Sequence, residues 1–177
     1  MKTALIALGN PILGDDGIGW HVGKAVEKVY ITNKSSQAQK PTSLYHPIDF
    51  LYLSCGGLEL MEHMVDYDRV ILVDAIFTGN FQIFSLHLFS LEDFGGSNLN
   101  HINSAHDTSL FTAVKMGKEL GVNLPAIIEI VGIEADRVFD FSEQLSPELS
   151  DMIPQITEFI INRFQSYEKM EVCHDLT

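Results

Sequence analysis

Residues 8–19 read Leu-Gly-Asn-Pro-Ile-Leu-Gly-Asp-Asp-Gly-Ile-Gly, with two adjacent aspartates among four glycines. The short apolar run over residues 3–8 that leads into this stretch is typical of a buried parallel strand. Apolar residues at helical spacing follow, and they predict a helix over about residues 18–30. The stretch is therefore predicted to be a strand-to-helix turn. In open α/β sheets, such turns beyond the carboxyl ends of strands are where ligands bind.

Strands and helices alternate along the rest of the chain. Buried strands are predicted within residues 44–53, 69–75 and 126–133, and helices over residues 58–65 and 105–120 and from residue 147 onward. Ser146 and Pro147 offer an N-cap and a first helical residue for the last helix. Residues 81–89 show two-residue alternation and predict an antiparallel strand, because the connection from Asp74 is too short for a crossover helix. Residues 31–43 and 92–104 are polar and predict loops.

This alternation predicts an α/β fold in three layers, α/β/α, with a mostly parallel twisted sheet of about five strands and one antiparallel edge strand. A chain of 177 residues is long enough for a sizeable core. We expect a single domain over residues 1–168, followed by a flexible C-terminal tail over residues 169–177.

Composition restricts the classes of partner. Eleven basic and 24 acidic residues give a formal net charge of −13, which argues against nucleic acid or an anionic membrane surface as partner. No apolar run reaches the roughly 18 residues of a membrane span. The two cysteines, Cys55 and Cys173, form no Cys-x-x-Cys pair, so a disulfide framework or a structural zinc site is not expected. These features suit a reducing cytoplasm.

The two aspartates of the turn admit two interpretations. One of them could N-cap the following helix, where N–H groups and the helix dipole favour a carboxylate. A second carboxylate is superfluous for capping, and adjacent like charges at a strand end are typical of metal binding or proton transfer. The glycines also suggest a phosphate cradle, and hence a nucleotide- or metabolite-binding module. However, no Gly-Lys-Ser/Thr follows, and the glycine spacing differs from the dinucleotide fingerprint.

Two residues elsewhere could join this turn. Asp74 lies at the end of the apolar strand, and parallel neighbours would bring it to the same crevice. His106 opens a helix, where the dipole disfavours the imidazolium and favours a neutral, ligating imidazole. A turn residue and a polar surface residue are the plainer interpretations of these two positions. Together with Asp16 they would supply carboxylate oxygens and one nitrogen, a set that suits nickel or zinc better than magnesium. The other six histidines have no comparable context.

Residues 9–19 resemble the N-terminal signature of the [NiFe]-hydrogenase maturation endopeptidases. The likeness extends to Ile-Leu-Val-Asp-Ala at residues 71–75 and to the loop and helix entry around His106, and it covers about residues 3–165. In that family, a carboxylate of the first turn, an Asp after the third strand and a His at a later helix bind the nickel of the substrate. By this match, the metal-binding and catalytic residues are Asp16, Asp74 and His106, while Asp15 has the role of a cap or of support for a ligand.

The resemblance implies a monomeric, cytoplasmic endopeptidase of the aspartyl type that activates hydrogenase. It would remove the C-terminal extension of a [NiFe]-hydrogenase large-subunit precursor after nickel insertion, using nickel carried by the precursor for recognition. A nickel-dependent assembly chaperone that binds the precursor without cutting it is the alternative. The chain departs from the family at residues 54–57, which read Ser-Cys-Gly-Gly where many members have an Asp-Gly-Gly-Thr type segment. Residues 31–43 resemble an insertion.

Overall fold

The computed structural model describes residues 1–37, 47–77, 79, 82–95, 107–136 and 141–174. Its strands are β1 (Thr3–Leu8), β2 (Ile48–Leu53), β3 (Arg69–Ile76), β4 (Leu86–Ser90) and β5 (Ile127–Glu134). Its α-helices are α1 (Ile18–Gln37), α2 (Gly57–Glu62), α3 (Asp107–Glu119) and α4 (Pro147–His174). Two short 3-10 helices, Gly14–Gly17 and Leu91–Gly95, precede α1 and follow β4.

The five strands form one sheet in the order β2-β1-β3-β5-β4. All neighbours are parallel except β4, which runs antiparallel to β5 at the edge. Every residue of β1 and β3 is buried, because helices cover both faces of the sheet. The predicted α/β/α class, the strand number and the antiparallel edge strand are confirmed.

Two apolar cores flank the sheet, and the alternation of side chains along each strand separates them. In β1, Leu5 and Ala7 point to the core formed with α1 and α4, whereas Ile6 and Leu8 point to the core formed with α2 and α3. The apolar face predicted for α4 lies in the first core, with Leu149, Met152, Ile153, Ile156, Phe159, Ile160 and Phe164. Each fully buried side chain of this size contributes about 1.5–3 kcal/mol of transfer free energy, so the cores hold the sheet between the helices.

Two predicted boundaries differ from the structure by more than three residues. Helix α1 continues to Gln37, so the loop predicted over residues 31–43 is wrong for residues 31–37, while residues 38–43 lie outside the described residues. Polarity alone did not end this helix, because neither Gly nor Pro occurs between Lys24 and Lys40. Strand β4 begins at Leu86 rather than at residue 81, because Phe84 has a φ of 61° and interrupts extended structure. Phe81 lies outside the described residues.

The ends of α3 and α4 carry the expected signals in part. Gly121, with a φ of 76°, follows α3 in the left-handed conformation typical of a helix C-cap. Ser146 directly precedes α4, but its buried hydroxyl makes no hydrogen bond to another described residue, so the predicted side-chain cap is absent there. Helix α4 reaches His174, and the flexibility expected of residues 169–177 stays a prediction. None of the helices in the described ranges is long and apolar enough to cross a membrane.

Candidate active site at the carboxyl edge of the sheet

The glycine-rich turn after β1 folds back on itself and fixes the Asp16 carboxylate. Gly9 has a φ of 113°, and a Cβ atom there would lie 1.9 Å from the backbone oxygen of Asp16. This close approach requires glycine. The backbone N–H of Asn10 donates a hydrogen bond of 2.6 Å to Oδ2 of Asp16. The partly buried carboxylate of Asp16 is therefore held beside the carboxyl end of β1.

Helix α1 starts directly on the ends of two parallel strands. A Cβ atom at Gly19 would lie 2.2 Å from the carbonyl oxygen of Leu8 and 2.5 Å from that of Val73. Ala7 pairs with Val73, so Asp74 lies level with the end of β1. The 3-10 helix that carries Asp16 also contacts β3. The chain segments of Asp16 and Asp74 therefore share one edge of the sheet.

Asp74 has no solvent exposure, whereas Asp16 is partly accessible. Burial of a carboxylate costs several kcal/mol unless donors or a cation compensate, which makes such a position expensive for folding alone. Two carboxylates at adjacent strand ends, one buried and one accessible to solvent, can together present oxygen ligands to a cation or take up a proton from water. Their role as ligands or catalysts stays a prediction.

His106, the third predicted ligand, lies outside the described residues. The helix that follows it, α3, begins at Asp107. After α3, the chain reaches Ala126, whose N–H donates a hydrogen bond to the carbonyl of Asp68, the residue before β3. Because α3 therefore ends near the amino edge of the sheet, its first residue lies toward the carboxyl edge. The direction of α3 suits the prediction for His106 without testing it.

Asp15 is fully buried and points to a different partner from its neighbour. Its Oδ1 accepts a hydrogen bond of 2.6 Å from the backbone N–H of Ser146, the residue before α4. The backbone adds two bonds between the same segments, from Gly14 N to Ser142 O (2.7 Å) and from Ser142 N to Ile12 O (3.1 Å). No side chain caps the 3-10 helix that precedes α1. Asp15 therefore joins the first turn to the start of α4.

The segment after β2 also contacts the first turn. The Ser54 hydroxyl donates to the carbonyl oxygen of Gly9 at 2.7 Å, and the Trp20 indole N–H donates to the carbonyl of Leu53 at 3.3 Å. Residues 54–57, at which the chain departs from the resembled family, thus lie beside the turn that carries Asp16.

Sequence reasoning missed a group of side chains that begins two residues before α2 and ends one residue after it. Ligand atoms of Cys55, Glu59 and His63 all lie within 4.8 Å of one another. Burial raises the pKa of the Cys55 thiol, and the negative charge of Glu59 raises it further. We expected no context for His63, yet the regular four-residue spacing of these side chains was visible in the sequence. This spacing alone does not distinguish a metal site from ordinary helix positions, and only the structure shows that the three ligand atoms lie close together.

The comparisons with known proteins agree with one another. The family model described as HycI, hydrogenase maturation protease, matches residues 46–163 of this chain. The chain is similar in structure to the hydrogenase maturating endopeptidase HybD from E. coli, with 19% identity and a TM-score of 0.69 over 94% of each chain. It is also similar to the [NiFe] hydrogenase maturation protease HybD from Thermococcus kodakarensis, with 23% identity and a TM-score of 0.67 over 92% of this chain and 98% of that chain.

A hydrogenase 2 maturation peptidase from a Thaumarchaeota archaeon has 20% identity and a TM-score of 0.57, over 93% of this chain and 98% of that chain. Comparison with curated proteins gives no match. At such identities the structural likeness shows the fold. The match to the family model is made on the sequence and does not rest on the structural likeness. It spans more than half of the chain.

Proposed function

This chain belongs to the hydrogenase maturation protease family, and from that premise we propose that it removes the C-terminal extension of a [NiFe]-hydrogenase large-subunit precursor after nickel insertion. The observation that carries the proposal is the shared carboxyl edge, where Gly19 packs the start of α1 against the ends of β1 and β3. This packing brings the segments of Asp16 and Asp74 together. We further propose that the protein acts as a monomer in the cytoplasm.

Nickel arrives in this proposal as part of the substrate. The precursor's cysteines hold the ion, and Asp16, Asp74 and His106 complete its coordination. A nitrogen and two carboxylates suit a borderline divalent ion, and without a thiolate of the enzyme they form a modest-affinity site. The enzyme would therefore bind the nickel-loaded precursor better than the nickel-free one. The metal acts as a template that places the scissile bond at the edge of the sheet.

Asp16 is the proposed general base. Its partial exposure admits water, whereas Asp74 and Asp15 are fully buried. Water attacks the scissile carbonyl and gives a proton to the Asp16 carboxylate. As the C–N bond breaks, Asp16 returns this proton to the departing amine and becomes a carboxylate again. The hydrogen bond from Asn10 N to Oδ2 of Asp16 fixes the orientation of this carboxylate.

Mass spectrometry of the precursor's C-terminus tests the proposal. Purified precursor, with and without nickel, is incubated with wild type, Asp16→Asn, Asp74→Asn or His106→Ala. Asp151→Asn, at an exposed position of α4, serves as the matched control. We expect one defined cut with the nickel-loaded precursor, loss of that cut in the three site variants, and full cleavage by Asp151→Asn.

Four outcomes would contradict the proposal or part of it. Equal cleavage of nickel-free precursor removes the template role, and full activity of all three site variants removes the site. A precursor that is bound but stays intact identifies an assembly chaperone instead. Thermal stabilisation of the protein by nucleotides, in the absence of cleavage, would favour a nucleotide-binding module.

A further inference from the structure

A second group of potential ligands lies in and directly beside α2, apart from the proposed catalytic carboxylates. Cys55 precedes the helix by two residues, and Glu59 and His63 follow at intervals of four. The backbone N–H of His63 donates to the carbonyl of Glu59 at 3.3 Å, so these two residues lie one helical turn apart on the same face. The thiol, carboxylate and imidazole ligand atoms all lie within 4.8 Å of one another.

We propose that Cys55, Glu59 and His63 bind a divalent ion of the zinc class. A thiolate combined with an imidazole and a carboxylate is a typical ligand set for Zn²⁺ and disfavours Mg²⁺ or Ca²⁺. Ligands at about 2.0–2.3 Å from a tetrahedral ion lie roughly 3.5 Å apart, so separations of up to 4.8 Å need to close by at most about 1.3 Å. Glu59 and His63 are exposed and can make this adjustment by rotation of their side chains.

The position of Cys55 makes it the fixed member of the set. It is half-buried and packs against the core between the sheet, α2 and α3, whereas the other two ligands face solvent. A bound cation would reverse the effect of Glu59 on the thiol, because the carboxylate would then bind the metal and the cation would favour the thiolate. Three protein ligands leave a fourth position of the ion open for water.

The proposed ion would stiffen a segment that contacts the turn over residues 9–16, which carries Asp16. Ser54, the neighbour of Cys55, donates to the carbonyl of Gly9 at 2.7 Å. Metal binding at Cys55 would connect α2 through Ser54 to the turn that holds Asp16. The site is nevertheless separate from the substrate's nickel, and its occupancy does not depend on the proposed peptidase activity.

Titration of the full-length, chelator-treated protein with Co²⁺, followed by displacement with Zn²⁺, tests the site. All variants carry Cys173→Ser, so that Cys55 is the only thiolate in the protein. We expect a thiolate-to-cobalt charge-transfer band in the near ultraviolet at a stoichiometry of one, abolished by Zn²⁺. Cys55→Ser should remove the band, and His63→Gln and Glu59→Gln should weaken Co²⁺ binding by at least about tenfold. Loss of a residue that only supports a metal ligand already costs about that much, so loss of a direct ligand should cost no less.

Glu62→Gln is the matched control, because Glu62 is an exposed carboxylate of the same helix outside the group. It should bind Co²⁺ like the parent protein. The inference is overturned if no charge-transfer band forms, or if binding in Glu59→Gln and His63→Gln equals that of Glu62→Gln. Adding Asp16→Asn and Asp74→Asn should leave the band intact, so failure here and failure of the proposed peptidase function are distinguishable. Circular dichroism of each variant verifies that it is folded.

Discussion

Asp15 and Ser146 are joined by a buried hydrogen bond of 2.6 Å across 131 residues of sequence. The carboxylate accepts from the backbone N–H of the residue that precedes α4. A reaching carboxylate does the same in a capping box, although there it comes from the helix itself. The bond makes the start of α4 part of the support of the turn that carries Asp16, and it gives the two adjacent aspartates different partners.

Replacement of Asp15 by Ala should therefore destabilise the protein although Asp16 remains. The variant leaves a buried backbone N–H without this acceptor, and loss of a hydrogen bond to a charged group costs about 1.5–3 kcal/mol, or roughly 5–10 °C in Tm for a chain of this length. Asp15→Asn should cost less, since its amide oxygen can still accept. Thermal unfolding measures the Tm of both variants, with Asp151→Ala, at an exposed position of α4, as control. An unchanged Tm in Asp15→Ala would refute the supporting role.

Gly19→Ala tests the packing that unites the strand ends. A Cβ atom there would lie 2.2 and 2.5 Å from the carbonyl oxygens of Leu8 and Val73, which are backbone atoms and cannot move independently. We expect a loss of about 1–3 kcal/mol in the free energy of unfolding, together with reduced cleavage, because β1 and β3 must separate.

The matched control is Gly117→Ala in α3. Its Cβ would lie 2.7 Å from Sδ of Met61 and 2.8 Å from Cδ1 of Leu124, which are flexible side-chain ends. Alanine also has the higher helix propensity, by about 1 kcal/mol. Urea denaturation should show the smaller loss for Gly117→Ala. If both variants lost equal stability, the backbone contact at Gly19 would not be the decisive one.

Local pattern sufficed to predict the sheet, because β1 and the centre of β3 are continuous apolar runs, residues 81–89 alternate, and glycine or polar residues occur in the turns. It also predicted that the segments of Asp16 and Asp74 share an edge, since parallel strands end at the same side. The bond from Ser146 to Asp15 could not be predicted, because no local signal relates residues so distant in sequence. The late start of β4, after Phe84, was equally hidden. The positive φ of this phenylalanine runs against its own preference and accompanies a hydrogen bond from its N–H to the carbonyl of Glu134, which is distant in sequence.

Stability should fall in mildly acidic solution because of His21. Burial lowers the pKa of this side chain from its ordinary 6.5, and the positive charge of Lys24 lowers it further. Above pH 6.5 the imidazole is neutral in both the folded and the unfolded chain, and it has no effect. As the pH falls below 6.5, the unfolded chain binds the proton first, so the free energy of unfolding decreases until the lowered pKa is passed.

His21→Gln should remove this part of the pH dependence. Denaturant unfolding at a series of pH values around and below 6.5 measures it, with His87→Gln at a histidine of β4 as control. The slope of stability against pH should flatten in His21→Gln and remain in His87→Gln. A wild-type slope in His21→Gln would mean that other groups cause the loss.

Ser54 offers the last test, because it connects the end of β2 to the turn that carries Asp16 through a hydrogen bond of 2.7 Å to the carbonyl of Gly9. Ser54→Ala removes the donor and should cost about 0.5–1.5 kcal/mol, whereas Ser54→Thr keeps it. Ser54→Asp should be worse than Ser54→Ala, since a carboxylate would oppose the carbonyl oxygen and repel Asp16. In the kinetics of precursor cleavage, KM should change more than kcat, because a loosened turn presents Asp16 less well to the precursor. Wild-type kinetics in both Ser54→Ala and Ser54→Asp would exclude an influence of this segment on the site.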